Sequence, residues 1–183
     1  ARAGRELRRV CDHNSYEEEI RLVGEMIAER FEAVLVIPTF DESKTWPFYS
    51  RLSPRLSPIV LLDHTMSCND FRYVVQSYDL GVTRAIEYLL RRKPGAVGFV
   101  LNETWGGRNM VLELMRGTYL DFIRRERPGF EPLFCQRASD IRAAELRARG
   151  VTGLFCCDDV GAIQAIGRLR EQKVYIADIK DGT

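Results

Sequence analysis

Two acidic residues stand side by side at Asp158 and Asp159, directly after an apolar run. Paired carboxylates do acid–base work only when both converge on one reacting atom. Consecutive residues leaving a strand point apart, and Asp is a favoured helix N-cap. Asp159 is therefore expected either to cap the helix that follows or to accept hydrogen bonds from ligand hydroxyls. Asp158 is a second candidate for contact with a ligand. A different kind of chemistry is offered by residues 102–109, Asn-Glu-Thr-Trp-Gly-Gly-Arg-Asn. Arg108 presents a planar fork of donors suited to vicinal hydroxyls or a carboxylate. Trp105 adds a flat apolar face of the type that stacks on sugar rings. Arg116 lies eight residues beyond Arg108, about two helical turns, and can share its face.

Other chemistries are poorly supplied. The only histidines, His13 and His64, are far apart, no CxxC pair occurs, and Cys156 and Cys157 are adjacent. Zinc needs three or four converging ligands, so no metal is expected. There is no GxSxG elbow or GxGxxG loop, and Gly106-Gly107 alone is too weak a signal for phosphate binding. His64 follows Asp63 at the end of an apolar run and reads as a strand-end loop residue. Neither a cofactor nor an enzymatic reaction is legible.

These residues need a scaffold, and the composition permits one. The chain has 183 residues, 45% hydrophobic and 29% charged, which is globular usage. Lys plus Arg number 27 against 26 Asp plus Glu, a net charge of +1. A broad nucleic-acid surface would show a basic excess, and the small cluster Arg2, Arg5, Arg8 and Arg9 is explained by a solvated terminus. The five cysteines (Cys11, Cys68, Cys135, Cys156, Cys157) lack paired spacing, which argues for structural thiols in a reducing, cytoplasmic setting. No membrane span or signal peptide is read, and the chain starts at Ala1 without an initiator Met.

Short apolar runs at 33–37, 59–62, 97–101 and 154–157 read as strands covered on both faces. Residues 7–10 and 73–75 are weaker strands. Ser15 and Glu18 form a capping box for a first helix striped by Tyr16, Ile20, Val23 and Ile27. A second helix is expected over 79–92, burying Ala85, Ile86, Leu89 and Leu90. A third runs over 108–125, with Val111, Leu114, Met115, Phe122 and Ile123 inward. Ser139 or Asp140 caps a fourth that ends at Gly150, and Asp159 a fifth. Alternating strands and helices mean βαβ units and parallel sheets. Ligands in such folds sit beyond the carboxyl ends of strands. The relevant loops are 38–47, which holds Trp46, then 63–69, 102–108 and 157–159. The turn at 93–95 is the best lobe boundary.

The ordered set of stretches resembles one known family. Residues 31–38 (FEAVLVIP), 57–63 (SPIVLLD), 74–90 (VVQSYDLGVTRAIEYLL), 95–101 (GAVGFVL), 108–123, 154–169 (LFCCDDVGAIQAIGRL) and 174–179 (VYIADI) follow its pattern in the correct order. The chain thus resembles the effector-binding domain of LacI/GalR-type transcriptional regulators, which shares its architecture with periplasmic sugar-binding proteins. Departures occur at Ser77-Tyr78, Tyr119 and Val174-Tyr175.

The resemblance implies an α/β fold of two Rossmann-like lobes with parallel sheets, periplasmic binding protein-like type I, incomplete at both ends. Residues 1–94 would form the N-terminal lobe and 95–183 the C-terminal lobe. It further implies a cytoplasmic homodimer that holds a small effector, usually a sugar, between its lobes, with operator DNA contacted only through a segment outside this chain. Arg108 and Arg116 take the places of the family's pocket arginines, Phe155 that of its pocket aromatic, and Asp158 and Asp159 that of its acidic pair. Trp46 is a further wall. An extracytoplasmic sugar-binding protein of a transport system is the alternative.

Overall fold

The computed structural model describes residues 7–13, 15–39, 41–52, 58–64, 66, 71–102 and 110–174. They fall into two compact units, one of residues up to Gln76 plus Met110, the other of the remaining residues from Ser77 on.

In the first unit, helix α1 (Tyr16–Ala28) leads into strand β1 (Val34–Val36), helix α2 (Glu42–Tyr49), and strands β2 (Ile59–Leu62) and β3 (Arg72–Val74). The strands form a parallel sheet in the order β1-β2-β3, with Val36 opposite Leu61 and Leu61 opposite Tyr73. Side chains alternate across a strand, so Val34, Val36, Ile59 and Leu61 enter one core with Val23, Met26 and Tyr49. The opposite face is not covered as the continuous apolar runs suggest, since Leu35 is 62% exposed and Val74 64%.

The second unit begins with helix α3 (Tyr78–Arg92) and strand β4 (Ala96–Val100), followed by helix α4 (Met110–Glu126) and strand β5 (Phe134–Cys135). A 3₁₀ turn (Ala138–Asp140), helix α5 (Ala143–Ala148), strand β6 (Val151–Cys156) and helix α6 (Asp159–Glu171) complete it. Its sheet is also parallel, in the order β5-β4-β6. All five residues of the central β4 are buried, as a strand covered on both faces requires. Val97 and Phe99 pack with α3 and α4, while Val100 faces the opposite layer with Ile141, Leu146, Ala165 and Leu169. Gly98 lies on that second side, where a Cβ would come within 3.1 Å of Leu154 and 3.3 Å of Leu133. Tyr119 of α4 is fully buried; its hydroxyl donates to the Val97 carbonyl (2.9 Å) and accepts from the Leu133 N–H (3.2 Å), tying the helix to β4 and to the start of β5.

Several local expectations need correction. Residues 7–10 form no strand. Ser15 accepts from the Glu18 N–H at 3.3 Å, but the Glu18 carboxylate turns to Arg21, so only half of the capping box forms. The buried stripe of α1 is Glu19, Leu22, Val23 and Met26, one step round from the expected face. Leu114 is 48% exposed, and Tyr119 fills the core instead. Asp140 accepts from the Arg137 N–H (2.9 Å) in the 3₁₀ turn, so neither it nor Ser139 caps α5, whose N-cap is Arg142. Trp46 lies on α2, not in a loop: Asp41 caps this helix by accepting from the Ser43 N–H, and Pro47 is carried inside it. Helix α3 packs through Val82 and Ile86 onto the sheet that follows it.

Candidate functional site

Both units bring polar side chains to the carboxyl ends of their parallel strands, where an open α/β sheet holds its ligands. In the second unit, β4 and β6 run out into Asn102 and Asp158. Asn102 is only 7% exposed. Its Nδ2 donates to Asp158 Oδ2 at 2.7 Å. Asp158 Oδ1 accepts from the Gly161 N–H at 2.6 Å, making Asp158 the N-cap of α6. The capping role therefore belongs to Asp158 and not to Asp159, because the extended backbone of Asp158 (φ −149°, ψ 173°) is the one that aims its carboxylate at the first helical turn. Asp159 is the first helical residue and is exposed, with Oδ1 3.0 Å from the Val160 N–H. The arrangement leaves one carboxylate engaged in holding two strand ends together and a second facing solvent, both at the positive end of a helix dipole.

Two thiols precede this pair, Cys156 half-buried and Cys157 buried. Burial pushes the Cys156 thiol up to about 11, helped by the nearby Asp158 charge. The Cys157 thiol is likewise pushed up to about 12 by burial and Asp158. These are inert, protonated thiols at neutral pH, not nucleophiles. Phe155 is half-buried and packs on Phe99, with ring centroids 5.1 Å apart. Arg116 is exposed on α4, with its guanidinium 5.0 Å from the Phe134 ring centroid. Trp105 and Arg108 lie outside the described residues.

In the first unit, three strand ends carry Thr39, the Asp63-His64 pair and Gln76. Asp63 adopts a left-handed backbone (φ 65°), which Asp tolerates better than most residues. Its N–H continues the ladder to the Val74 carbonyl (2.9 Å), and its Oδ1 accepts from Gln76 Nε2 at 3.1 Å. His64 is 7% exposed, with Nδ1 3.6 Å from Asp63 Oδ2. Burial pulls its pKa below the usual imidazole value, and the Asp63 charge opposes that shift. Trp46, 39% exposed, stands on α2.

One element of this unit has no counterpart in the sequence reading. Glu19 of α1 is 2% exposed, with Oε2 accepting from the Thr39 N–H at 2.6 Å and Oε1 from the Tyr49 hydroxyl at 2.7 Å. Burial raises its pKa, and those two donors pull the other way. The sequence signal was available: an acid at the i position of a stripe continued by Leu22, Val23 and Met26. Asn102 carries a weaker signal, as the first polar residue after a buried strand. Among the described residues, no three of His, Cys, Asp and Glu converge as metal ligands would.

The fold has close parallels among solved structures. A periplasmic solute-binding protein of an ABC transporter from Actinobacillus succinogenes, with bound D-allose, superposes with a TM-score of 0.68 at 21% identity, over 87% of this chain and 61% of that one. A carbohydrate transporter solute-binding protein from Agrobacterium radiobacter, in complex with D-arabinose, gives 0.65 at 18% identity, over 89% and 59%. A sugar-binding transcriptional regulator of the LacI family from Escherichia coli, complexed with phosphate, gives 0.62 at 17% identity, over 89% and 60%. The chain thus has the periplasmic binding protein-like α/β fold, and spans about three fifths of the length of the structures it matches. No family model matches the sequence, and no curated protein is significantly similar to it.

Proposed function

We propose, on the premise of this fold, that the chain is the effector-sensing part of a LacI-type transcriptional regulator, holding a sugar at the carboxyl ends of its parallel strands without transforming it. The observation that supports the reading is that each parallel sheet ends in polar side chains: Asp63, His64 and Gln76 in one unit, and Asn102, Asp158 and Asp159 in the other. Asp159 accepts from ligand hydroxyls, Asp158 holds the strand ends in place, and Arg108 and Trp105 supply a donor fork and a stacking face. Trp46 is a further wall. Arg116, packed on the Phe134 ring, is a second donor to ligand oxygens, and Phe155, packed on Phe99, an apolar wall.

Binding would act on DNA by favouring one lobe arrangement over another, which requires different affinity for the two. The thiols favour the regulator over the transport protein. Cys11, Cys135, Cys156 and Cys157 are all free, three of them wholly or partly buried, as suits a reducing compartment. Solute-binding proteins of transport systems share the fold equally well, which makes transport the second reading. A signal peptide on the intact gene product would select that alternative, and operator binding would exclude it.

The test is a thermal-shift screen of the intact protein against pentoses and hexoses, D-arabinose and D-allose included. A sugar at a hundred times its Kd stabilises by about 2.7 kcal/mol. That should lift Tm by several degrees. Arg108→Ala should weaken the binding by about 1.5–3 kcal/mol. A panel that leaves Tm unmoved would refute the sugar reading.

A further inference from the structure

The sequence puts an acid where a helix facing a core calls for an apolar side chain. Positions 19, 22, 23 and 26 are the buried face of α1, and three of them are Leu, Val and Met. Burying a carboxylate is expensive unless it is well hydrogen-bonded, and this one uses both oxygens on donors distant in sequence. The Thr39 N–H comes from just beyond β1, directly after Pro38, which has no N–H to offer. The Tyr49 hydroxyl comes from the last residue of α2. One side chain therefore grips the connection from β1 to the end of α2 at both its ends.

That connection is weak by itself. Helix α2 has 8 residues and carries Pro47 inside it, which removes one intrahelical hydrogen bond. What anchors its far end is Tyr49, fully buried, with ring contacts to Phe48 (5.1 Å) and Phe71 (6.0 Å) besides the bond to Glu19. Trp46 rides on the same helix.

We infer that Glu19 is a positioning residue, whose buried carboxylate fixes the loop after β1 and the helix bearing Trp46 in the form that meets the ligand. The role rests on the reading above, in which this strand end borders the sugar. It is served by the hydrogen-bond geometry and not by the negative charge. An amide at position 19 can accept from the Thr39 N–H with its oxygen and donate to the Tyr49 oxygen with its nitrogen. Glu19→Gln therefore keeps the grip. The double variant Glu19→Leu with Tyr49→Phe removes it and keeps the interior apolar and filled, leaving the Thr39 N–H as the donor that loses its acceptor.

The experiment measures amide hydrogen exchange at Thr39 relative to Leu61, whose amide reports opening of the sheet, alongside affinity for D-allose and D-arabinose. In the double variant, Thr39 exchange relative to Leu61 should rise about tenfold or more, as a local opening would produce. Affinity for whichever sugar the wild type binds should fall about tenfold, while Glu19→Gln stays within about threefold on both measures. Unchanged Thr39 exchange in the double variant overturns the assignment, as does an affinity loss in Glu19→Gln equal to that of the double variant. If the wild type binds neither sugar, the sugar reading falls by itself, and the exchange ratio alone decides the role of Glu19.

Discussion

Removing the Asp158 carboxylate should uncouple the ends of β4 and β6 and uncap α6 in a single step. Asp158→Ala loses the bond from the Gly161 N–H (2.6 Å), and replacing a capping Asp by Ala costs about 1 kcal/mol. It also removes the charged acceptor from Asn102 Nδ2 (2.7 Å) on a side chain only 7% exposed, and losing such a bond costs about 1–3 kcal/mol. Together these give a loss of about 2–4 kcal/mol, which in a chain of this length lowers Tm by roughly 4–16 °C. Asp158→Asn should lose less. Its Oδ1 can still cap Gly161, while its amide nitrogen meets the amide of Asn102, so that one of the two must turn over. The clean measure is a double-mutant cycle of Asp158→Ala with Asn102→Ala, followed by thermal unfolding without ligand. Residues in direct contact couple by about 0.5–3 kcal/mol. Additive losses from the two substitutions would refute the view that this pair holds the strand ends together.

Two further outcomes follow from the same physics. Tyr119→Phe should destabilise by about 1–3 kcal/mol, because the Val97 carbonyl and the Leu133 N–H lose a buried partner; urea unfolding followed by far-UV dichroism measures it, and a loss below about 0.5 kcal/mol would contradict the bridging role. Glu19, raised above the ordinary carboxyl value of 4.5 by burial, binds its proton more readily folded than unfolded. Its contribution to stability is then fully present below 4.5 and is lost as pH rises through the folded value. Wild type should gain stability relative to Glu19→Gln as pH is lowered from neutral through the folded value to 4.5; a difference that stays constant over that whole range, or opens the other way, would contradict the burial effect.

The framework of alternating strands and helices was legible because its signals are local. β2 lies where its apolar run predicts, and β4 and β6 overlap theirs. Ser15 starts α1 through its side chain, and the βα alternation yields parallel sheets in both units. Helix α2 was hidden by Pro47, a residue that usually marks a loop, and β5 by its length of two residues. The site was harder to read because its bonds are long-range. Asn102 and Asp158 are 56 residues apart, and Glu19 is 30 from Tyr49. No periodicity in a single chain announces such a pair. The misassigned cap shows a finer limit, since choosing between Asp158 and Asp159 needs a backbone dihedral that residue types alone do not supply.

The first sheet leaves Leu35 and Val74 well exposed on one side, beside the half-buried Val60 and Leu62 in the ladder. Wetting a surface of this kind is unfavourable in proportion to its area, and covering one such aliphatic side chain is worth about 1.5–3 kcal/mol. Whatever comes to rest there, whether polypeptide or detergent, therefore has a larger hold on the stability of this half of the molecule than most individual hydrogen bonds within it. Buffer additives and protein concentration will consequently shift its measured melting behaviour, and comparisons between variants are meaningful only with both held constant.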